Sequence, residues 1–206
     1  MELSKQLWEK YHSENSIINL SNYDLFCIRD YMEFSDLLTT NTNVLYVGVG
    51  TGSALEQLHE LGCVVHSLDI AENARPKAEL YSQFWLESDF ENIPDEFFDI
   101  VIHHLVAQHL SNRQLERHFN NAIRCLKPTG ILAMQYAYSL DGRELDVCDC
   151  QMTYSSTRNK ATIKKMVSQN GGTISLHKDV EEYPEYKMGW RIIHAKPLRR
   201  TLVKML

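Results

Sequence analysis

The stretch NVLYVGVGTGSALEQL, Asn43–Leu58, changes its structural period in the middle. Its first part, VLYVGV, is apolar, aromatic and β-branched, which is typical of a buried strand. From position 53 apolar side chains recur every three or four residues, which predicts a helix to Leu61. Gly48, Gly50 and Gly52 stand between the two parts. Glycines at such a turn let the backbone approach a ligand closely, so the stretch predicts either a nucleotide-like site or a tight turn that is merely glycine-rich.

The spacing of these glycines, G-x-G-x-G, departs from both common nucleotide-loop signatures. The dinucleotide fingerprint is G-x-G-x-x-G/A, and counted from Gly48 its last position is Ser53. The phosphate loop requires Gly-Lys-Ser/Thr, which does not follow here. A dinucleotide therefore remains an alternative ligand but is not favoured.

The alternation of strand and helix continues along the chain. The next predicted strands are Cys63–Ile70, Phe84–Ser88, Phe97–Leu105, Ile131–Ser139, Thr173–Val180 and Gly189–Lys196, and the other predicted helices are residues 2–12, 23–38, 72–80, 112–126 and 157–170. KPTG, residues 127–130, is predicted to end a helix. This pattern indicates α/β architecture with a largely parallel sheet. The last two strands could pair as a hairpin and give one antiparallel strand.

Aspartates stand at the ends of the second and third predicted strands. Asp69 is placed to accept hydrogen bonds from two ribose hydroxyls, and Asp89 beside Phe90 offers an adenine one acceptor and one aromatic wall. Because the carboxyl ends of parallel strands face one crevice, these residues and the glycine loop should surround one ligand. The alternative for each aspartate is N-capping of the following helix, and Asp69 alone would also suit NAD.

Taken together, these features resemble those of the class I S-adenosylmethionine-dependent methyltransferases. The matching segments are VLYVGVGTGS (Val44–Ser53), Asp69, SDF (Ser88–Phe90), FFDIVIHHLVAQHL (Phe97–Leu110) and LKPTGILAM (Leu126–Met134), in the family's order and spacing. The resemblance covers roughly residues 43–137. The first forty residues and residues 141–153 have no comparable match.

The resemblance implies a doubly wound, mostly parallel seven-stranded sheet with one antiparallel strand, helices on both faces and an N-terminal helical lid. Residues 1–40 would form the lid, and residues 41–206 the S-adenosylmethionine-binding domain of a single compact unit. The implied cofactor contacts are Gly48, Gly50 and Gly52 at the methionine part, Asp69 with Ile70 at the ribose, Asp89 with Phe90 at the adenine, His103 near the sulfonium, and Tyr11 on the lid.

Methyl transfer from a sulfonium requires donor and acceptor to be held in line, and a base helps when the acceptor is a hydroxyl. His104 is the candidate base because it follows the fourth strand on the crevice side; the alternative is a hydrogen-bonded wall residue. Adjacent strand residues face opposite ways, so only one of His103 and His104 should line the site. His109 is interpreted as structural. His104 and His109 have no reason to converge, and no metal site is expected.

Composition narrows the class of partner. The 206 residues carry a net charge of −6, which disfavours nucleic acid as a partner. No run of ~18 apolar residues suggests a membrane span. Five scattered cysteines, including the pair Cys148 and Cys150, indicate reduced thiols and a cytoplasmic protein.

The sequence thus predicts a methyltransferase that converts S-adenosylmethionine to S-adenosylhomocysteine while methylating a small molecule. Because His104 is a candidate base, O-methylation is slightly favoured. One alternative is a methyltransferase-like module that binds without catalysis. A less favoured one is an NAD-dependent oxidoreductase, against which Ser53 and LKPTG both speak. Pairing of two chains into a homodimer stays open.

Overall fold

The computed structural model describes residues 2–14, 29–146 and 155–198. Residues 23–28 of the second predicted helix, and both Cys148 and Cys150, lie outside this part of the chain. The strands are β1 Asn43–Val47, β2 Val64–Asp69, β3 Gln83–Leu86, β4 Phe98–His103, β5 Leu126–Ser139, β6 Gly172–Tyr183 and β7 Met188–Pro197. The α-helices are α1 Glu2–Glu14, α2 Ser53–Glu60, α3 Arg75–Ala78, α4 Asn112–Cys125 and α5 Lys160–Gln169.

All seven strands join one sheet in the order β3-β2-β1-β4-β5-β7-β6. The first five strands along the chain pair in parallel, and β7 runs antiparallel to both β5 and β6. The predicted doubly wound sheet with one antiparallel strand is confirmed, including the closing hairpin.

The sheet is buried on both faces. Leu45 and Val47 pack into one hydrophobic cluster together with Leu115 and Phe119 of α4. The neighbouring positions of β1 point the other way, into a second cluster that contains α2. Side chains alternate along a strand, so a strand covered on both faces reads as the continuous apolar run seen at VLYV.

The register brings four strand ends to one edge. Val47 pairs with Leu68 of β2 and with His103 of β4, and Asp69 pairs with Leu86 of β3. The carboxyl ends of strands β1 to β4 therefore lie side by side. Open α/β sheets bind their ligands at this edge.

Several boundaries differ from the predictions. The predicted helix over residues 72–80 is a 3₁₀ turn, Glu72–Ala74, followed by the short α3, where Pro76 occupies the first turn. The KPTG segment belongs to β5, which begins at Leu126 and pairs there with Phe98. β3 ends at Leu86, before the predicted Ser88. Short strands are set by their partners, and β3 pairs only with β2 among the described strands.

Candidate active site

A cavity of about 340 Å³ lies at the edge where β1 to β4 end. Its wall consists of the end of β1 and the loop after it, the end of β2, the first residue after β3, residues 104–106 and 108–110 after β4, and parts of α1, α2 and α4. Ligand pockets in proteins range from roughly 300 to 1,000 Å³. The cavity is therefore large enough for one small ligand.

Two glycines of the loop after β1 line this cavity and have different roles. Gly48 has a φ of +84°, and a Cβ atom there would lie 2.5 Å from Cγ2 of Val106. Gly50 has a φ of +56°, but a Cβ there would meet no described atom within 4 Å. Gly48 thus allows the segment after β4 to pack against the loop, whereas Gly50 leaves open space. Gly52 does not line the cavity and precedes α2.

Asp69 is 8% exposed and lines the cavity at the end of β2. Its Oδ2 accepts a hydrogen bond of 2.8 Å from the Val49 amide. Its Oδ1 accepts one of 3.0 Å from the Ala71 amide, a local turn contact that aspartate favours. A carboxylate has about four acceptor positions, so about two remain for a ligand. Ile70 follows it on the cavity wall.

The two adjacent histidines at the end of β4 face different surroundings, as strand alternation predicts. His104 lines the cavity, and burial lowers the pKa of its ring to about 4. His103 is not part of the cavity wall; it bonds to His118 of α4, with 3.1 Å between Nε2 and Nδ1. His109 also lines the cavity, and burial lowers its pKa to about 4 as well. His104 and His109 therefore line the same cavity.

A metal site is not indicated by these histidines. Within the described residues no group of three or more His, Cys, Asp or Glu side chains could hold a metal ion. His109 instead packs edge-on against Trp8 of α1, with 5.2 Å between ring centroids.

A buried arginine holds the segment after β4 in place. Arg158 is 1% exposed, and its guanidinium donates to the carbonyl oxygens of Ala107, at 3.0 Å, and Leu110. Its Nε donates to Oδ1 of Asn112 at 2.8 Å. Burial lowers the pKa of Arg158 to about 10, so it stays charged near neutral pH. No local sequence pattern indicates this role, because the contacts join residues 46 to 51 positions apart.

The helix α1 docks next to Asp69 and contributes Trp8, Tyr11 and His12 to the cavity wall. The carboxylate of Glu9 accepts 2.8 Å hydrogen bonds from the amides of Glu72 and Asn73, which begin the turn after β2. Backbone amides at such a turn are otherwise without partners. Glu9 therefore fixes α1 to the sheet edge.

The structure does not bring Asp89 and Phe90 to the cavity. Both lie in the 3₁₀ turn Glu87–Asn92, and Phe90 is 1% exposed within the core. Because β3 ends early, Glu87 is the first residue after that strand, and it lines the cavity together with His118. Sequence reasoning missed both residues, although Glu87 lies only two positions from the aspartate that was chosen.

Residues 45–134 match the model of a protein family described as a methyltransferase domain. This range runs from β1 into β5 and includes the glycine loop, Asp69 and His104. Just under half of the chain is thus similar to a methyltransferase domain. No curated protein matches the sequence.

Solved structures share the fold of this chain. The 1,6-didemethyltoxoflavin-N1-methyltransferase of Burkholderia thailandensis, with bound 1,6-didemethyltoxoflavin and S-adenosylhomocysteine, is 14% identical over 96% of this chain and 88% of its own, with a TM-score of 0.72. Magnesium protoporphyrin IX methyltransferase from Synechocystis PCC 6803, with bound S-adenosylhomocysteine, is 16% identical over 94% and 95%, with a TM-score of 0.64. The [4+2]-cyclase SpnF is 17% identical over 83% and 80%, with a TM-score of 0.67. Such identities show a shared fold.

None of the helices in the described residues is long and apolar enough to cross a membrane.

Proposed function

We propose that the chain transfers a methyl group from S-adenosylmethionine to a small-molecule acceptor in the cavity at the sheet edge. The main support for the proposal is that Gly50 and Asp69 lie on one wall of the cavity, beneath α1. Gly50 supplies open space at a turn, and Asp69 supplies a buried carboxylate at the neighbouring strand end.

The residues on the wall fit this cofactor. The spare acceptor positions of Asp69 suit two ribose hydroxyls, with Ile70 packing beside them. The loop through Gly48 and Gly50 would hold the methionine part. When bound, the cofactor supplies an activated methyl group on a positively charged sulfur. The protein then has to align the acceptor with that group and exclude water.

The helix α1 is the element we assign to water exclusion. Tyr11 and its neighbours on α1 form part of the cavity wall, and Glu9 holds the helix against the turn after β2. We infer that α1 is the described part of an N-terminal lid, which opens to admit ligands. Tyr11 would lie against the bound cofactor.

His104 is the group we propose to orient the acceptor and to accept its proton. The lowered pKa of His104, about 4, keeps the ring neutral near pH 7 and able to accept a hydrogen bond. A base of that pKa is weak, and general-base catalysis is most effective when the pKa lies near the working pH. The proposal therefore favours O-methylation of an acidic hydroxyl, such as a phenol or an enol, over an aliphatic alcohol.

Three observations support a small acceptor. The cavity is small, about 340 Å³, and the net charge of −6 does not suit a nucleic-acid partner. The two methyltransferase structures described above are named for small molecules, 1,6-didemethyltoxoflavin and magnesium protoporphyrin IX.

A second function has one specific observation in its favour. SpnF shares the fold and is named as a [4+2]-cyclase, so this fold also supports chemistry other than methyl transfer. Binding of the cofactor alone would therefore not establish the proposal.

The test is release of S-adenosylhomocysteine from S-adenosylmethionine, measured with phenols, enols, aliphatic alcohols, amines and carboxylic acids as acceptors. We expect turnover with an acidic hydroxyl, and a loss of roughly 100-fold in kcat for His104→Asn. His59→Asn is the matched control, because His59 is exposed on α2. Cofactor binding without turnover of any acceptor would favour the non-methylating alternative, and an unchanged kcat in His104→Asn would remove His104 as the base.

A further inference from the structure

Leu105, the second residue after β4, has a backbone conformation that leucine rarely adopts. Its φ is +55°, in the left-handed region. Leu105 also lies on the wall of the cavity, next to His104. Strained backbone of this kind persists only where surrounding contacts hold it, and it is concentrated at binding and catalytic sites.

Two buried glutamine side chains hold this conformation. Oε1 of Gln135 on β5 accepts a hydrogen bond of 3.2 Å from the Leu105 amide. Nε2 of Gln108 donates one of 2.7 Å to the Leu105 carbonyl oxygen. The side chains of Gln135 and Gln108 are 2% and 5% exposed. Both polar backbone groups of Leu105 are therefore bonded to side chains, which fixes the start of the segment after β4.

The orientation of the Gln108 amide follows from its neighbours. A flipped amide would place its oxygen 2.7 Å from the Leu105 carbonyl oxygen with no hydrogen between them. The amide nitrogen also lies 3.3 Å from Nε2 of His109. Burial lowers the pKa of His109 to about 4, so its ring is neutral near pH 7, and an amide nitrogen accepts no hydrogen bond. Gln108 therefore donates one amide hydrogen to each of these two partners.

The oxygen of the same amide is left without a partner. Oε1 of Gln108 is buried, and no donor among the described residues bonds to it. The backbone carbonyl oxygen of Gln108, by contrast, accepts a hydrogen bond of 2.8 Å from the Ser156 amide. Buried side-chain acceptors nearly always have a partner, and Gln108 is part of the cavity wall. A donor that belongs to a bound molecule would satisfy this oxygen.

We propose that Oε1 of Gln108 accepts a hydrogen bond from the methyl acceptor, which makes Gln108 a specificity-determining residue. The inference rests on the proposed function, in which His104 accepts the proton of the hydroxyl that is methylated. Gln108 binds a second O–H or N–H group of the same molecule and takes no proton. The substrate class is then an acidic hydroxyl compound with a further hydrogen-bond donor, such as a dihydroxybenzene or an aminophenol. Gln135 is a positioning residue, because it acts on Leu105 and is not part of the cavity wall.

The experiment compares acceptors that differ only in this second donor. Catechol and resorcinol carry a second hydroxyl at two spacings, and 2-fluorophenol and 3-fluorophenol replace it by a small group that donates no hydrogen bond. Release of S-adenosylhomocysteine from S-adenosylmethionine gives kcat/KM for each compound. We expect the wild type to prefer the dihydroxybenzene roughly 10- to 100-fold in at least one of the two pairs, because a site built on hydrogen bonds rejects analogues that lack them. Fluorine makes the remaining hydroxyl more acidic, so acidity alone would favour the opposite order.

Variants of the two glutamines separate recognition of the substrate from support of the turn. Gln108→Met removes the acceptor oxygen and should bring the ratio of the two kcat/KM values close to one. Gln108→Glu retains an acceptor oxygen and should retain most of this ratio. Gln135→Met removes the contact with the Leu105 amide, so it should lower kcat for both members of a pair equally and leave the ratio unchanged. Gln169→Met, on the exposed surface of α5, is the matched control and should keep both values.

The outcomes separate this assignment from the proposed function. The assignment is overturned, and the proposed function stands, if the fluorophenols match their dihydroxy partners or if the enzyme methylates only acceptors outside these four compounds. A ratio that persists in a folded Gln108→Met, or that falls equally in Gln135→Met, also overturns the assignment. Melting curves establish that each variant is folded, and the wild-type comparison requires no variant. If the wild type fails to bind S-adenosylhomocysteine or methylates no acceptor of any class, the proposed function fails and the assignment fails with it.

Discussion

His12 on α1 faces Asp69 at the end of β2, with 3.7 Å between Nε2 and Oδ2. That separation is too long for a hydrogen bond. One hydroxyl oxygen could lie about 2.8 Å from both atoms, donating to Asp69 and accepting from His12. Nδ1 of His12 is buried and has no hydrogen-bond partner among the described residues, so none of them prevents the proton from residing on Nε2. A ribose hydroxyl would thus connect the lid to the sheet.

His12→Phe should weaken S-adenosylhomocysteine binding about tenfold, because it keeps the bulk of the ring but removes the donor. Calorimetric titration measures the effect, with His59→Phe on the exposed side of α2 as the control. Equal affinities of His12→Phe and the wild type would show that the lid histidine does not contact the ligand.

The two cavity glycines should respond differently to alanine. At Gly50 the new methyl group meets no described atom, so Gly50→Ala should cost only the left-handed backbone strain of about 1–2 kcal/mol, yet fill ligand space. Gly48→Ala adds a collision with Val106 and should lower the melting temperature further. We expect Gly50→Ala to lose S-adenosylhomocysteine binding while staying folded. Wild-type affinity in Gly50→Ala would mean that this space belongs to no ligand.

Glu9→Gln should loosen α1. The carboxylate accepts two backbone N–H groups, and charge-assisted bonds of this kind are stronger than neutral ones. Hydrogen exchange in α1 should therefore quicken by roughly five- to tenfold, equivalent to about 1 kcal/mol. Glu60→Gln, on the exposed surface of α2, is the control. Unchanged exchange in α1 would show that Glu9 does not hold the lid.

Arg158→Met should reduce the free energy of unfolding by roughly 3 kcal/mol, because it leaves several buried oxygens without a donor. It should also lower kcat, since residues 104–110 lose their anchor. Arg143 provides the contrast: its side chain is 81% exposed, and Arg143→Met should change stability by less than about 0.5 kcal/mol. Chemical denaturation measures the free energy of unfolding of both variants. Similar decreases in the two variants would contradict the anchoring role of Arg158.

Stability should depend on pH through the buried histidines. The folded pKa values of His104, His109 and His118 lie at about 4, 4 and 3, below the ordinary value of 6.5. Between those values and 6.5 the unfolded chain binds more protons than the folded one, so stability falls as the pH falls. The contribution should be complete above about pH 6.5 and decline steadily toward pH 4. Melting temperatures across this range provide the measurement, and His104→Asn should flatten the curve. A flat wild-type curve would contradict the buried neutral rings.

Local patterns were enough to predict the centre of the site. The buried strand, the glycine turn and Asp69 lie close together in the sequence, and parallel strands must end at one edge. The separation of His103 from His104 followed from strand alternation alone. These features depend on neighbours in the chain and on a rule of sheet geometry.

The other features of the candidate site depend on long-range contacts, which local sequence patterns do not reveal. The prediction of Asp89 assumed that β3 extends to Ser88, whereas its pairing with β2 ends at Leu86, so that Glu87 reaches the cavity instead. Arg158 and His12 act across the fold, on Ala107 and Asp69 respectively. A buried arginine in a polar segment reads like an exposed one until its partners are known.

The most direct test of the central claim is calorimetric titration of the wild type and Asp69→Asn with S-adenosylhomocysteine. The substitution keeps one side-chain oxygen for the backbone contacts but removes the charge and acceptor positions proposed for the ribose. We predict one-to-one binding by the wild type and a loss of about tenfold or more in Asp69→Asn. No binding by the wild type, or equal binding by a folded Asp69→Asn, would contradict the account.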